Sequence, residues 1–233
     1  MQYFVWNTVF AKKESGEMVY GLTYEQAIIY TLCAGLIGKL LFTNVHHEIS
    51  RDIKEGGLSR FLVQPIGYIP YRISKSIGEK TTEFFIVGGL LSFFLFVVSP
   101  LLKMNTSIER IILFLIAIIP AFLLNFMIFL CVSIWAFWIV EVGRLYAIID
   151  ILVAIVSGAI FPLTIFGDKV ELLLSFLPFS YTTYFLAQII NGQHDFNGFI
   201  KGLSMQFLWC FLLGCFIIIT WKQGMKKYTA VGG

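Results

Sequence analysis

Between Arg110 and Glu141 the chain carries no charged residue: positions 111–140 are dominated by Ile, Leu and Phe. A helix of that length is about 45 Å long, against a hydrocarbon core of about 30 Å. It is too long for one untilted span, and Pro120 near its start marks a kink or joint. Only 13% of the chain is charged and 58% is hydrophobic, where a soluble domain carries about a quarter charged residues. A core built from 233 residues cannot hide that much apolar surface, so lipid must cover much of it.

Four further apolar stretches predict spans: 26–42, 81–102 (Gly88-Gly89 inside, Pro100 at its end), 147–166 (Gly158 and Pro162 inside) and 203–221. Residues 1–11 would make only about 16 Å of helix, so they read as an interfacial anchor or the tail of a truncated first span. Segments 12–24 and 103–110 read as loops. Segment 167–199 alternates short apolar pieces with Pro178, Ser180, Thr182, Thr183 and Asn191-Gly192. It reads as one or two helices that dip into the membrane edge and return, backbone that is tolerated only where protein or a water-filled cavity covers it. The fold class expected is all-α: one domain over 1–233, a polytopic transmembrane bundle of five full spans plus a short first one.

The polar exception is 44–80, which holds six of the chain's 17 Lys and Arg. Ile49, Ile53 and Leu58, then Phe61 and Leu62, follow helical spacing broken at Gly56-Gly57. Glu48, Arg51, Asp52 and Glu55 occupy the other face. Two short amphipathic helices along the membrane surface are expected, with Pro65 and Pro70 interrupting the chain after them. The two readings are a docking element for a soluble partner and an ordinary solvated loop with interfacial anchors. Placing 44–80 in the cytoplasm and alternating the spans puts ten basic residues inside, including Lys222, Lys226 and Lys227 of the tail 222–233, against six outside. Lys39 snorkels from a span end. The excess of basic residues inside, with the loop and the tail agreeing, sets the orientation.

Several chemistries find no support. Cys33, Cys131, Cys210 and Cys215 sit in apolar runs without CxxC spacing, as packing residues do. His46 and His47 are adjacent, and adjacent helical positions face different ways, so they make a poor metal pair; no metal site is expected. No nucleophile elbow, zinc-protease helix or phosphate-binding loop occurs. No catalytic site and no bound cofactor are therefore expected. Asp150 and Glu141 lie near the inner ends of spans, where an acidic residue is a functional candidate by default. The nearby Arg144 and water supply partners there. A net charge of +3, clustered beside apolar spans, is orientation signal rather than a nucleic-acid patch. Trp135, Phe137 and Trp138 read as interfacial belt or as lining of a path.

Four stretches together resemble a known family. Asp52-Ile53-Lys54-Glu55-Gly56-Gly57-Leu58-Ser59 with Pro65 is similar to the first cytoplasmic loop of bacterial type-2 ATP-binding-cassette (ABC) permeases. The closer likeness is to the six-span subunits found paired in exporters. Ala136-Phe137-Trp138 with Glu141, Ser157-Gly158 through Pro162-Leu163 with Leu177-Pro178-Phe179, and Trp221 with Gly224, Lys226, Lys227 and Gly232-Gly233 match further segments in order. The resemblance covers nearly the whole chain, although such permeases begin with a basic helix and a full first span that are short or missing here.

The resemblance implies that Glu48, Ile49, Arg51, Asp52, Ile53, Glu55, Gly56, Gly57 and Leu58 form a coupling helix region against an ATPase subunit. It also implies an outer re-entrant segment within 167–199, and Trp138, Glu141, Gly158, Pro162 and Pro178 are the candidate pathway or re-entrant residues. Expected partners are a dimer of ATP-binding subunits carrying ATP and magnesium, a second permease, identical or paralogous, and lipid. The expected location is a bacterial cytoplasmic membrane, and the expected cargo is a lipid, a hydrophobic drug or an amphipathic peptide. The rival readings are a membrane scaffold and an ion-coupled carrier; the carrier would need paired charges within spans and internal repeats.

Overall fold

The computed structural model describes residues 2–11, 17–93, 97, 107–139 and 141–228. Regular structure among them is helical apart from one isolated bridge, Val19 to Leu22. The helices are α1 (Gln2–Phe10), α2 (Tyr24–Leu41), α3 (Val45–Lys54), α4 (Gly57–Leu62), α5 (Tyr68–Phe93), α6 (Ile108–Ile134), α7 (Gly143–Val156), α8 (Asp168–Ser175), α9 (Thr183–Asn191) and α10 (Phe196–Lys227). Short 3-10 turns sit at Trp135–Phe137, Leu163–Phe166 and Pro178–Tyr181.

The uncharged run forms the central mast. α6 touches α2, α3, α9 and α10, and Ser107 caps its start by accepting a hydrogen bond from the Arg110 amide. Pro120 lies inside the helix and cannot donate to the preceding turn. Gln206 of α10, fully buried, donates to the Ala117 carbonyl at 3.3 Å and the Tyr181 carbonyl at 2.8 Å. A polar side chain inside an apolar bundle thus finds backbone carbonyls as partners for its amide, as a buried donor must. Asn125 does the same at the end of α2, donating to the Leu41 carbonyl at 2.6 Å.

Among the described residues, three helical stretches are long and apolar enough to cross a membrane: Tyr24–Lys54, Ile108–Phe137 and Phe196–Lys227. Their outer faces remain apolar: Ile119 is 71% and Phe211 69% exposed. Exposed apolar surface on that scale is wrong for water and right for lipid or another membrane subunit. The chain is an all-α membrane protein.

The expected spans and the helices differ in three places. α5 starts at Tyr68, before the apolar stretch 81–102, because Pro70 sits in its first turn, where a missing N–H breaks no helical bond; Pro100 and most of 94–106 lie outside the described residues. The stretch 147–166 is not one helix: α7 ends at Val156, and its 14 residues reach only about 21 Å. Gly158 stops it with φ +76°. A Cβ there would stand 2.6 Å from the Tyr30 hydroxyl and 2.9 Å from the Tyr184 Cβ. α10 runs six residues past the expected end at Trp221, so the basic tail is helical to Lys227; Gly232-Gly233 lie outside the described residues. Segment 167–199 is broken as expected, into α8, a 3-10 turn at Pro178 and α9 before α10 begins at Phe196.

Candidate functional site

The polar loop folds into a corner. α3 places Val45, Ile49 and Ile53 on one side, all buried against Phe126, Phe129 and Leu130 of α6. Gly56, at φ +78°, turns the chain into α4, and Leu58 is buried in the same cluster. Gly57 permits the close turn, since a Cβ there would stand 2.8 Å from Asp52 Oδ1.

The acidic flank of α3 faces α5. Tyr68, Arg72, Ser76 and Lys80 recur every four residues and are all buried, a polar stripe down one face. The Arg72 guanidinium bonds both Glu48 and Asp52. Lys75 Nζ donates to Glu48 at 2.7 Å, and the Tyr68 hydroxyl donates to Asp52 Oδ2 at 2.5 Å. Arg72 Nε donates to the Tyr68 oxygen at 3.0 Å. Burial pushes the Tyr68 phenol upward, and its bond to Asp52 adds to that. The bond to Glu48 raises the Lys75 ammonium. Arg72 is 6% exposed, so its charge is tolerated only because two carboxylates face it.

The tail of α10 closes the corner. Tyr68 stacks on Trp221 with ring centroids 5.4 Å apart, and Phe137 packs edge-on to Trp221 at 5.4 Å and to Tyr228 at 6.3 Å. The Ser59 and Tyr228 hydroxyls share a hydrogen bond of 2.8 Å. A Cβ on Gly224 would meet the Phe137 ring at 2.3 Å. Three separate sequence motifs therefore meet here: the loop, Ala136-Phe137, and the tail with Trp221 and Gly224.

The nine loop candidates divide by geometry. Ile49, Ile53 and Leu58 hold the corner to the bundle, Glu48 and Asp52 hold it to α5, and Gly56 and Gly57 make the bend. Arg51 and Glu55 face outward, joined by Arg60, Val63, Gln64 and Ile66. Among the other candidates, Trp138 and Glu141 are exposed, Glu141 within electrostatic reach of Lys54. Gly158, Pro162 and Pro178 are buried at breaks between helices. The sequence reading missed Tyr68, Arg72 and Tyr228; the four-residue polar stripe of α5 was the signal for the first two, and nothing local marked Tyr228.

A helical membrane bundle with a charged corner at one end is the class these features define. A comparison with protein families matches residues 1–232 to the family described as ABC-2 family transporter protein. The chain belongs to that family. Neither the curated proteins nor the solved structures contain a match.

Proposed function

We propose that this chain is the permease subunit of an ATP-driven exporter, with the α3–α4 corner docking on a separate ATPase subunit. The observation that carries this is the corner itself, in a chain matched to the ABC-2 family along nearly its whole length. Its inner face is fastened to α5, α6 and α10, while Arg51, Glu55 and Arg60 point away. A push on such a corner is delivered to three helices at once. The distribution of basic residues favours placing the corner and the end of α10 on the cytoplasmic side. Segment 167–199 is then the outer re-entrant element. The chain hydrolyses nothing itself; ATP and magnesium belong to the partner.

ATP biases the transporter only through contacts that differ between its states. The exposed apolar faces of α5, α7 and α10 supply surface for lipid and for a second permease. A cavity of about 280 Å³ between α2, α6 and α7, lined by Ala34, Gly38, Asn125, Phe129 and Val153 among others, favours an apolar or amphipathic cargo.

The test is affinity purification of the tagged chain from its native host in mild detergent, with stoichiometric partners identified by mass spectrometry. An ATP-binding subunit is expected, and Arg51→Glu with Glu55→Lys should release it while the chain still inserts. Ile53→Asp is the wrong probe, because it buries a charge in the core. Recovery of the chain alone, under conditions that preserve comparable complexes, rejects the permease-subunit reading in favour of a scaffold.

A further inference from the structure

His46, His47 and Asp150 converge, although the two histidines are sequence neighbours on α3. The third group arrives from α7 and stands between them: His46 Nε2 lies 3.2 Å from Asp150 Oδ1, and His47 Nε2 lies 3.7 Å from Asp150 Oδ2. One ligand atom from each residue falls within 4.8 Å of the other two. The His46 ring is held by stacking on Phe129 at 4.7 Å and by the edge of Tyr146 at 5.0 Å. His46 is fully buried, and both of its ring nitrogens, together with Asp150 Oδ1, lack a hydrogen-bond partner. Buried polar atoms without well-formed partners are costly, and of these His46 Nε2 and Asp150 Oδ1 face each other at 3.2 Å.

We propose that His46, His47 and Asp150 bind a divalent transition-metal ion of the zinc class. Ligands about 2.0–2.1 Å from a tetrahedral ion stand about 3.3 Å apart. The two histidines face different Asp150 oxygens at 3.2 and 3.7 Å, and one ligand atom from each residue lies within 4.8 Å of the others, so the side chains would draw in on binding. Two imidazoles and one carboxylate suit zinc and its neighbours; magnesium and calcium take oxygen ligands. Three protein ligands leave a fourth position open, and Asp150 also lines the 280 Å³ cavity. The ion would tie α3 to α7, so that α3 could not shift along α7 without losing a ligand. The binding site stands on its own geometry and does not depend on the permease assignment.

The test uses the full chain in lipid nanodiscs, with the affinity tag removed and metal stripped by chelation, titrated calorimetrically with zinc. One ion per chain with saturable micromolar or tighter binding is expected, and a rise in melting temperature as ligation favours the folded state. Cobalt should give the visible bands of a tetrahedral site. His47→Gln, at a side chain 42% exposed, keeps the fold, so its unliganded melting temperature should match the parent while zinc binds about 100-fold more weakly. Asp150→Asn should behave alike; if it misfolds, His47→Gln decides alone. No saturable binding, or equal binding by parent and His47→Gln, overturns the proposal. So does a response to pH at this cluster without zinc binding.

Discussion

At the scale of single residues, the glycines show how differently one residue type can be used. Gly158 combines a left-handed backbone with the Tyr30 hydroxyl, which donates to its carbonyl at 2.7 Å. Gly158→Ala should therefore cost about 2 kcal/mol or more, from backbone strain and crowding together. Gly224→Ala should cost about 1–3 kcal/mol by driving a methyl into the Phe137 ring. Gly88→Ala meets nothing within 4 Å and should be neutral or stabilising by a few tenths to about 1 kcal/mol. Thermal unfolding of the three variants in one detergent ranks them, and equal melting temperatures would remove the packing argument. Arg72→Met should lower stability by about 2–3 kcal/mol, below the full loss for a buried pair because Glu48 and Asp52 keep some solvent. The charges of the loop could be read in the sequence as an outward face. That Glu48 and Asp52 turn inward could not, because their partner, Arg72, lies on a separate helix twenty or more residues away.

At the scale of elements, the α3–α5 contact makes stability depend on alkaline pH. The folded pKa values of Lys75 and Tyr68 both lie above their unfolded ones, about 10.4 and 10. A raised group contributes stability that is complete below the unfolded pKa and is lost as pH climbs through the folded one. The melting temperature should thus be insensitive to these groups up to about pH 9 and fall above about pH 10. Tyr68→Phe with Lys75→Met should flatten that fall; an unchanged slope would show that other groups carry it. Helical periodicity made α3, α4 and the mast legible, because each shows its apolar stripe or its freedom from charge within a few turns. The true lengths of α5 and α7 were hidden. Pro70 reads as a breaker but occupies a helix start, and Gly158 lies inside an apolar run whose hydropathy does not register a backbone turn.

At the scale of the whole molecule, the 44–80 loop and the end of α10 form one structure. Trp221→Ala should loosen the corner, by about 2 kcal/mol for a half-buried aromatic. Under the proposed docking on an ATPase subunit, it should reduce ATPase stimulation more than membrane yield. Orientation gives a second check. In a background with the four native cysteines replaced, Arg60→Cys and Lys201→Cys should react with a membrane-impermeant maleimide from opposite sides. Labelling of both from one side would break the assigned topology.

The sequence by itself determined the membrane class, the helical architecture and the place of the polar corner. These follow from hydropathy and periodicity, which are properties of local stretches. Its order of motifs also pointed to the ABC-2 family, to which the match over residues 1–232 assigns it. Tertiary structure alone decided which corner residues face outward, that the loop, the Phe137 turn and the tail meet, and that Asp150 stands between two adjacent histidines. Those facts depend on contacts between helices far apart in the chain, and spacing along one helix carries no information about what another helix brings to it.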